Sequence, residues 1–121
     1  MSIFSSIGEN KKLYISKHFF IIKDEFPVSD GHLLIISKEL RVDYFDLNAD
    51  EKAELPKLID VAKELIEKEF HPEGYNIGIN CGKQAGQTVM HFHCHLIPRY
   101  KGDMEDPKGG VRGVIPDKQK Y

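Results

Sequence analysis

Seven residues, His91-Phe92-His93-Cys94-His95-Leu96-Ile97, constrain this chain more than any other stretch. Three histidines alternate with Phe92, Cys94 and Leu96. A period of two is that of a β-strand, whose successive side chains point to opposite faces. The pattern predicts a strand over residues 89–97, stopped by Pro98, with three imidazoles on one face and the apolar set buried on the other. Histidine is not a favoured strand filler, so three titratable groups on one face point to chemistry on that face.

The remaining sequence supplies partners for this strand. Leu13-Tyr14-Ile15 and Phe19-Phe20-Ile21-Ile22 read as short strands, with Lys17-His18 in the turn between them. Phe26-Pro27-Val28-Ser29-Asp30-Gly31 carries turn chemistry, and His32 to Ser37 follows as an apolar, central strand. Asn48 and Glu51 have the spacing of a capping box. Leu55, Leu58, Ile59, Ala62, Leu65, Ile66 and Phe70 then recur every three or four residues, as on a helix packed against a sheet. Pro56 falls inside this pattern and predicts a kink, or a main helix that begins there. His71-Pro72-Glu73-Gly74 ends the helix. Tyr75, Ile77 and Ile79 alternate with polar residues as a fourth strand, and Gly82 to Gly86 is a Gly-rich turn. A polar tail runs from about Lys101. Residues 1–121 read as one α+β domain, an antiparallel sheet of about five strands with one long helix on it.

Composition removes several functions. The net charge of −2 argues against a general nucleic-acid binder, which needs a basic excess. The longest apolar runs have four residues, too few for a membrane span. The N-terminus lacks the basic start and apolar core of a secretory signal. Two cysteines, Cys81 and Cys94, with Cys94 pointing inward, suit a reducing, cytoplasmic setting.

The histidine row admits a metal or a substrate. Strand residues two apart lie roughly 6.6–7 Å apart, and those four apart roughly 13 Å, so one ion reaches at most two of the three. His32, Asp24 or His71 would have to complete the site, and no Cys-x-x-Cys or His-Glu-x-x-His pattern supports one. A row of imidazoles instead suits an extended phosphate ester. Neutral imidazole is a nucleophile towards phosphorus, and imidazolium donates to phosphoryl oxygens and can protonate a leaving group. No Asp or Glu occurs between Gly74 and Tyr100, so that side lacks anionic side chains. A Gly-rich turn offers backbone N–H groups as a phosphate cradle.

Gly86-Gln87-Thr88-Val89-Met90-His91-Phe92-His93-Cys94-His95-Leu96-Ile97-Pro98-Arg99 resembles the signature of the histidine triad superfamily, His-φ-His-φ-His-φ-φ with φ apolar. Asp24, Pro27 and Gly31-His32 resemble that family's nucleoside-binding half, and Tyr75 to Asn80 its fourth strand. The resemblance covers roughly residues 12–100. It implies a nucleotide hydrolase or nucleotidyl transferase acting at the α-phosphate of a purine nucleoside polyphosphate or phosphoramidate. It makes His93 the nucleophile, forming a nucleotidyl-histidine, and His95 the donor to the scissile phosphoryl and leaving group. His91 and His32 become supports. Asp24 falls on the ribose hydroxyls, and Asn80, Gln87 and Thr88 on phosphate oxygens. Arg99 is a candidate for a polyphosphate chain. The resemblance also implies a homodimer, and no metal or other cofactor is expected. There is no Cys-x-x-Cys near the N-terminus for a structural zinc, and no tryptophan. The readings from other classes are a nucleotide-binding module with vestigial catalysis and a metalloprotein.

Overall fold

The computed structural model describes residues 2–121. Five antiparallel strands form one sheet: β1 (Tyr14–Ile15), β2 (Phe19–Lys23), β3 (Leu33–Ser37), β4 (Gly74–Gly78) and β5 (His93–Arg99). Their spatial order is β1-β2-β3-β5-β4, so the histidine strand is paired on both sides, by β3 and by the edge strand β4. One helix, α1 (Ala49–Glu67), connects β3 to β4.

The period of two divides the sheet into two faces. Phe19, Ile21, Leu33, Ile35, Phe92, Cys94 and Leu96 pack against Leu55, Leu58, Ala62 and Ile66 of α1. Phe20, Ile22, Leu34 and Ile36 face the other way, where Phe4 of the 3₁₀ turn Ile3–Ser6 covers them. The helix thus fills one face completely. The second face has only this short cover, which leaves room for a site. Cys94 is buried on the helix side, burial pushes its thiol up to about 12, and both cysteines are free.

α1 begins where the sequence places it. Asn48 Oδ1 accepts the Glu51 N–H at 2.8 Å, and Glu51 Oε1 accepts the Asn48 N–H at 2.7 Å. Pro56 neither starts the helix nor ends it, a correction to the expected main start at that residue. Its ring lies on an exposed position, where the carbonyl it strips of a donor can turn to water. Pro98 is a second correction, because it lies inside β5. β3 pairs with β5 only as far as Leu96, so the side where the Pro98 N–H would point holds no strand. The Pro98 carbonyl accepts the Ser29 hydroxyl on that side at 2.6 Å. The tail from about Lys101 carries two 3₁₀ turns, Gly110–Val114 and Pro116–Lys118, the first lying against β4. No helix among the described residues is long and apolar enough to cross a membrane.

Candidate functional site

A cavity of about 1170 Å³ opens on the face away from α1, lined by His93, His95 and Ile97 of β5. The sequence expected a row of three triad imidazoles. Only two face the cavity. His91 lies before β5, is 1% exposed and does not line the cavity. The third lining imidazole is His32, from the start of β3. Gly31 places it there with φ of +93°, and a Cβ at Gly31 would lie 3.0 Å from the Phe70 ring.

The hydrogen bonds fix the proton on each ring. His93 Nδ1 lies 2.8 Å from the His91 carbonyl, which can only accept. Nδ1 therefore carries the proton, and Nε2 presents a lone pair. His91 Nε2 lies 2.7 Å from the Ser37 carbonyl, so Nε2 is its donor. Its Nδ1 is 2.6 Å from Ser2 Oγ. His32 Nδ1 accepts the Val28 N–H at 3.1 Å, which puts its proton on Nε2. That proton points at His95 Nδ1, 2.9 Å away. The proton of neutral His95 must then sit on Nε2. The site offers one free imidazole lone pair, on His93, and one ring N–H donor, on His95.

Asp24 closes the group. Its Oδ1 accepts the Phe26 N–H at 2.8 Å, and its Oδ2 lies 3.4 Å from His32 Nε2 and 3.8 Å from His95 Nδ1. These three atoms also resemble a metal-binding set. Their separations of 2.9, 3.4 and 3.8 Å bracket the roughly 3.3 Å edge of a tetrahedron with Zn–N bonds of about 2.0–2.1 Å. The proton pattern opposes a cation. A neutral imidazole ligating through Nε2 carries its proton on Nδ1, which would face the Val28 N–H donor to donor. His71, the other ligand considered from the sequence, is exposed and outside this cluster.

Burial pushes His95 down to about 4, helped by the neighbouring His93 and His32 and opposed by Asp24. Burial also lowers His32 and His91. The unfolded chain takes up a proton near about 6.5, whereas the folded one resists until lower pH. The unfolded state therefore binds more protons in that window, and stability falls as pH drops from 6.5 towards 4. The urea unfolding free energy should be about 1–2 kcal/mol larger at pH 7.5 than at pH 5, and His95→Gln should narrow the difference. Equal narrowing by a surface histidine variant, His71→Gln, would count against this assignment.

Asp24, Asn80 and Thr88 line the cavity with the Gly86 end of the Gly-rich turn. Gln87 and Arg99 do not, and both correct the sequence reading. Gln87 is 4% exposed. Its Nε2 donates to the Val42 carbonyl at 2.6 Å and the Val89 carbonyl at 3.1 Å, and its Oε1 accepts the Gly82 N–H at 2.8 Å. It braces the Gly-rich loop from within. Arg99 is held by Asp103 through Nε and Nη2, both at 2.9 Å, and donates to Asn76 Oδ1 at 2.7 Å. A substrate anion would have to displace that carboxylate. The sequence reading missed the N-terminal segment, which contributes Ile3, Phe4, Ile7 and Asn10 to the lining. The available signal was the Ser2-x-x-Ser5 cap spacing ahead of Phe4 and Ile7.

The chain is 38% identical over 98 residues to the uncharacterized 16.1 kDa HIT-like protein of Mycoplasma pneumoniae, covering 78% of this chain and 62% of the relative. It is 39% identical over 80 residues to the asymmetrical bis(5'-nucleosyl)-tetraphosphatase of Schizosaccharomyces pombe, covering 66% and 44%. The chain thus spans less than two thirds of either relative's length. Among solved structures, a HIT family protein from Bacillus anthracis superposes with a TM-score of 0.72 at 38% identity, covering 77% of this chain and 66% of that one. The HIT domain model matches residues 8–102, from the N-terminal wall of the cavity to just beyond the histidine strand, and the chain belongs to that family.

Proposed function

We propose that the chain is a nucleotide hydrolase cleaving at the α-phosphorus of a nucleoside polyphosphate or phosphoramidate through a nucleotidyl intermediate on His93. The observation that carries this reading is the bond from His93 Nδ1–H to the His91 carbonyl, which leaves Nε2 unprotonated at the cavity. Membership of a family whose relatives include a dinucleoside tetraphosphatase supports a nucleotide substrate.

In the first step the His93 Nε2 lone pair forms a P–N bond. The bond from phosphorus to the leaving oxygen or nitrogen breaks while His95 Nε2–H donates a hydrogen bond to the departing atom, which leaves as a phosphate anion or takes its proton from water. Water then attacks the phosphorus, the P–N bond breaks and returns its electron pair to His93 Nε2, and the proton lost by the water passes to solvent. The Asp24 carboxylate accepts the ribose hydroxyls, and Asn80 and Thr88 donate to phosphate oxygens. The cavity wall of Ile3, Phe4, Ile7, Leu13 and Ile22 gives the base an apolar seat.

Rapid-quench single turnovers with radiolabelled diadenosine tetraphosphate and adenosine 5'-phosphoramidate test this. Acid-labile label should appear on the protein and decay with release of AMP, and the faster substrate names the leaving group. Nucleotide binding without label or product from either substrate would replace the hydrolase by a binding module.

A further inference from the structure

The N-terminal 3₁₀ turn is sewn to the triad at one atom. Ser2 Oγ lies 2.6 Å from His91 Nδ1, across 89 residues of sequence. The direction of that bond follows from the surroundings. The Ser37 carbonyl claims the His91 Nε2 proton, so Nδ1 of neutral His91 can only accept. The Phe4 N–H donates to Ser2 Oγ at 3.1 Å, which occupies one lone pair and leaves the hydroxyl proton for His91. The Ser2 N–H donates to Ser5 Oγ at 3.3 Å, completing a capping box. Phe4 then sets its ring edge-on to both His91 and His93, with centroids 5.7 and 5.1 Å away.

We propose that Ser2 is a positioning residue: its hydroxyl donates to His91 Nδ1 and locks the tautomer and ring of the histidine whose carbonyl orients the nucleophile. The proposal rests on the hydrolase reading for its kinetic consequence but not for the bond itself. Without Ser2, His91 Nδ1 is an acceptor on a residue 1% exposed with no other donor among the described residues. Such an atom favours ring rotation or the other tautomer, and the other tautomer sets the bare Nε2 against the Ser37 carbonyl. Either change moves the His91 peptide that holds His93 Nδ1. The nucleoside wall has a separate anchor, since Phe4 is packed on Phe20, Ile22, Leu34 and Ile36. Loss of Ser2 should therefore tell on the chemical step more than on nucleotide binding.

The test compares wild type, Ser2→Ala and Ser2→Thr. Long-range ¹H–¹⁵N NMR reads the His91 ring nitrogens without any substrate. In the wild type Nε2 should be protonated and Nδ1 should show a hydrogen-bonded acceptor shift. In Ser2→Ala the Nδ1 resonance should move towards the unbonded position, and Ser2→Thr should restore it. With either substrate, kcat should fall about tenfold in Ser2→Ala, the size of one uncharged hydrogen bond, with KM within about twofold and recovery in Ser2→Thr. A His91 Nδ1 resonance unchanged by Ser2→Ala would overturn the proposal. So would a loss confined to KM, which would make Ser2 a fastener of the wall only. A wild-type protein that turns over neither substrate would sink the hydrolase reading, and the NMR comparison alone would then decide whether Ser2 orders His91.

Discussion

His93→Ala should abolish turnover, lowering kcat by about 10⁴-fold or more, while the protein still folds and binds nucleotide. The size follows from its double duty, since the same nitrogen makes the bond to phosphorus in the first step and releases it in the second. The side chain is half-buried and its Nδ1 bond is to a backbone carbonyl, so its removal costs little core packing. His95→Ala should be milder, about 10²–10³-fold, because it removes a hydrogen-bond donor to the leaving group and leaves the nucleophile. His91→Ala should be hard to interpret kinetically, because that ring is buried and bonded at both nitrogens. Single-turnover kinetics with labelled nucleotide, alongside equilibrium binding of AMP, check the series. Covalent label on His93→Ala protein would move the nucleophile to another residue.

Arg41→Met should cost about 3 kcal/mol of folding stability, measured by urea denaturation. Glu51 is 1% exposed, and Arg41 Nε lies 2.9 and 3.2 Å from its two carboxylate oxygens. Deleting the guanidinium strands a buried carboxylate whose remaining partner is the Asn48 N–H. Glu51→Gln should cost less, because Arg41 is about 29% exposed and can turn to water. The double variant Arg41→Met with Glu51→Leu should recover part of the loss, since no charge is then left buried. A cost below about 1 kcal/mol for Arg41→Met would mean that water already reaches the carboxylate. The pair bears on the site as well. The Arg41 carbonyl accepts the Phe92 N–H at 2.6 Å, between the first two triad histidines, and the next carbonyl, Val42, accepts Gln87. Activity in Arg41→Met should therefore fall at temperatures where the variant is still folded.

Fold and site were unequally legible. The helix start could be read because a capping box is a local pattern, with Asn48 and Glu51 three residues apart. The sheet could be read because alternation survives whatever the neighbours are. The helix start expected at Pro56 and the strand stop expected at Pro98 fail for a shared reason. A proline's effect depends on what stands opposite its missing N–H, and that is open solvent side for one and the end of β3 for the other. Gln87 was placed on phosphate oxygens by the family resemblance, and Arg99 on a polyphosphate chain by its charge. Their polar groups were already committed, to Val42, Val89 and Gly82 in one case and to Asp103 and Asn76 in the other.

By itself the sequence determined the family, the histidine strand and the helix. These depend on period, spacing and the backbone needs of single residues such as Gly31. Only the tertiary structure decided that His32 joins His93 and His95 in the cavity while His91 stands behind them. It alone decided which nitrogen of each ring holds the proton. A neutral imidazole has two tautomers of similar energy, and the choice falls to whatever carbonyl, hydroxyl or N–H the fold brings to each nitrogen. For His91 those groups belong to Ser37 and Ser2, 54 and 89 residues away along the chain.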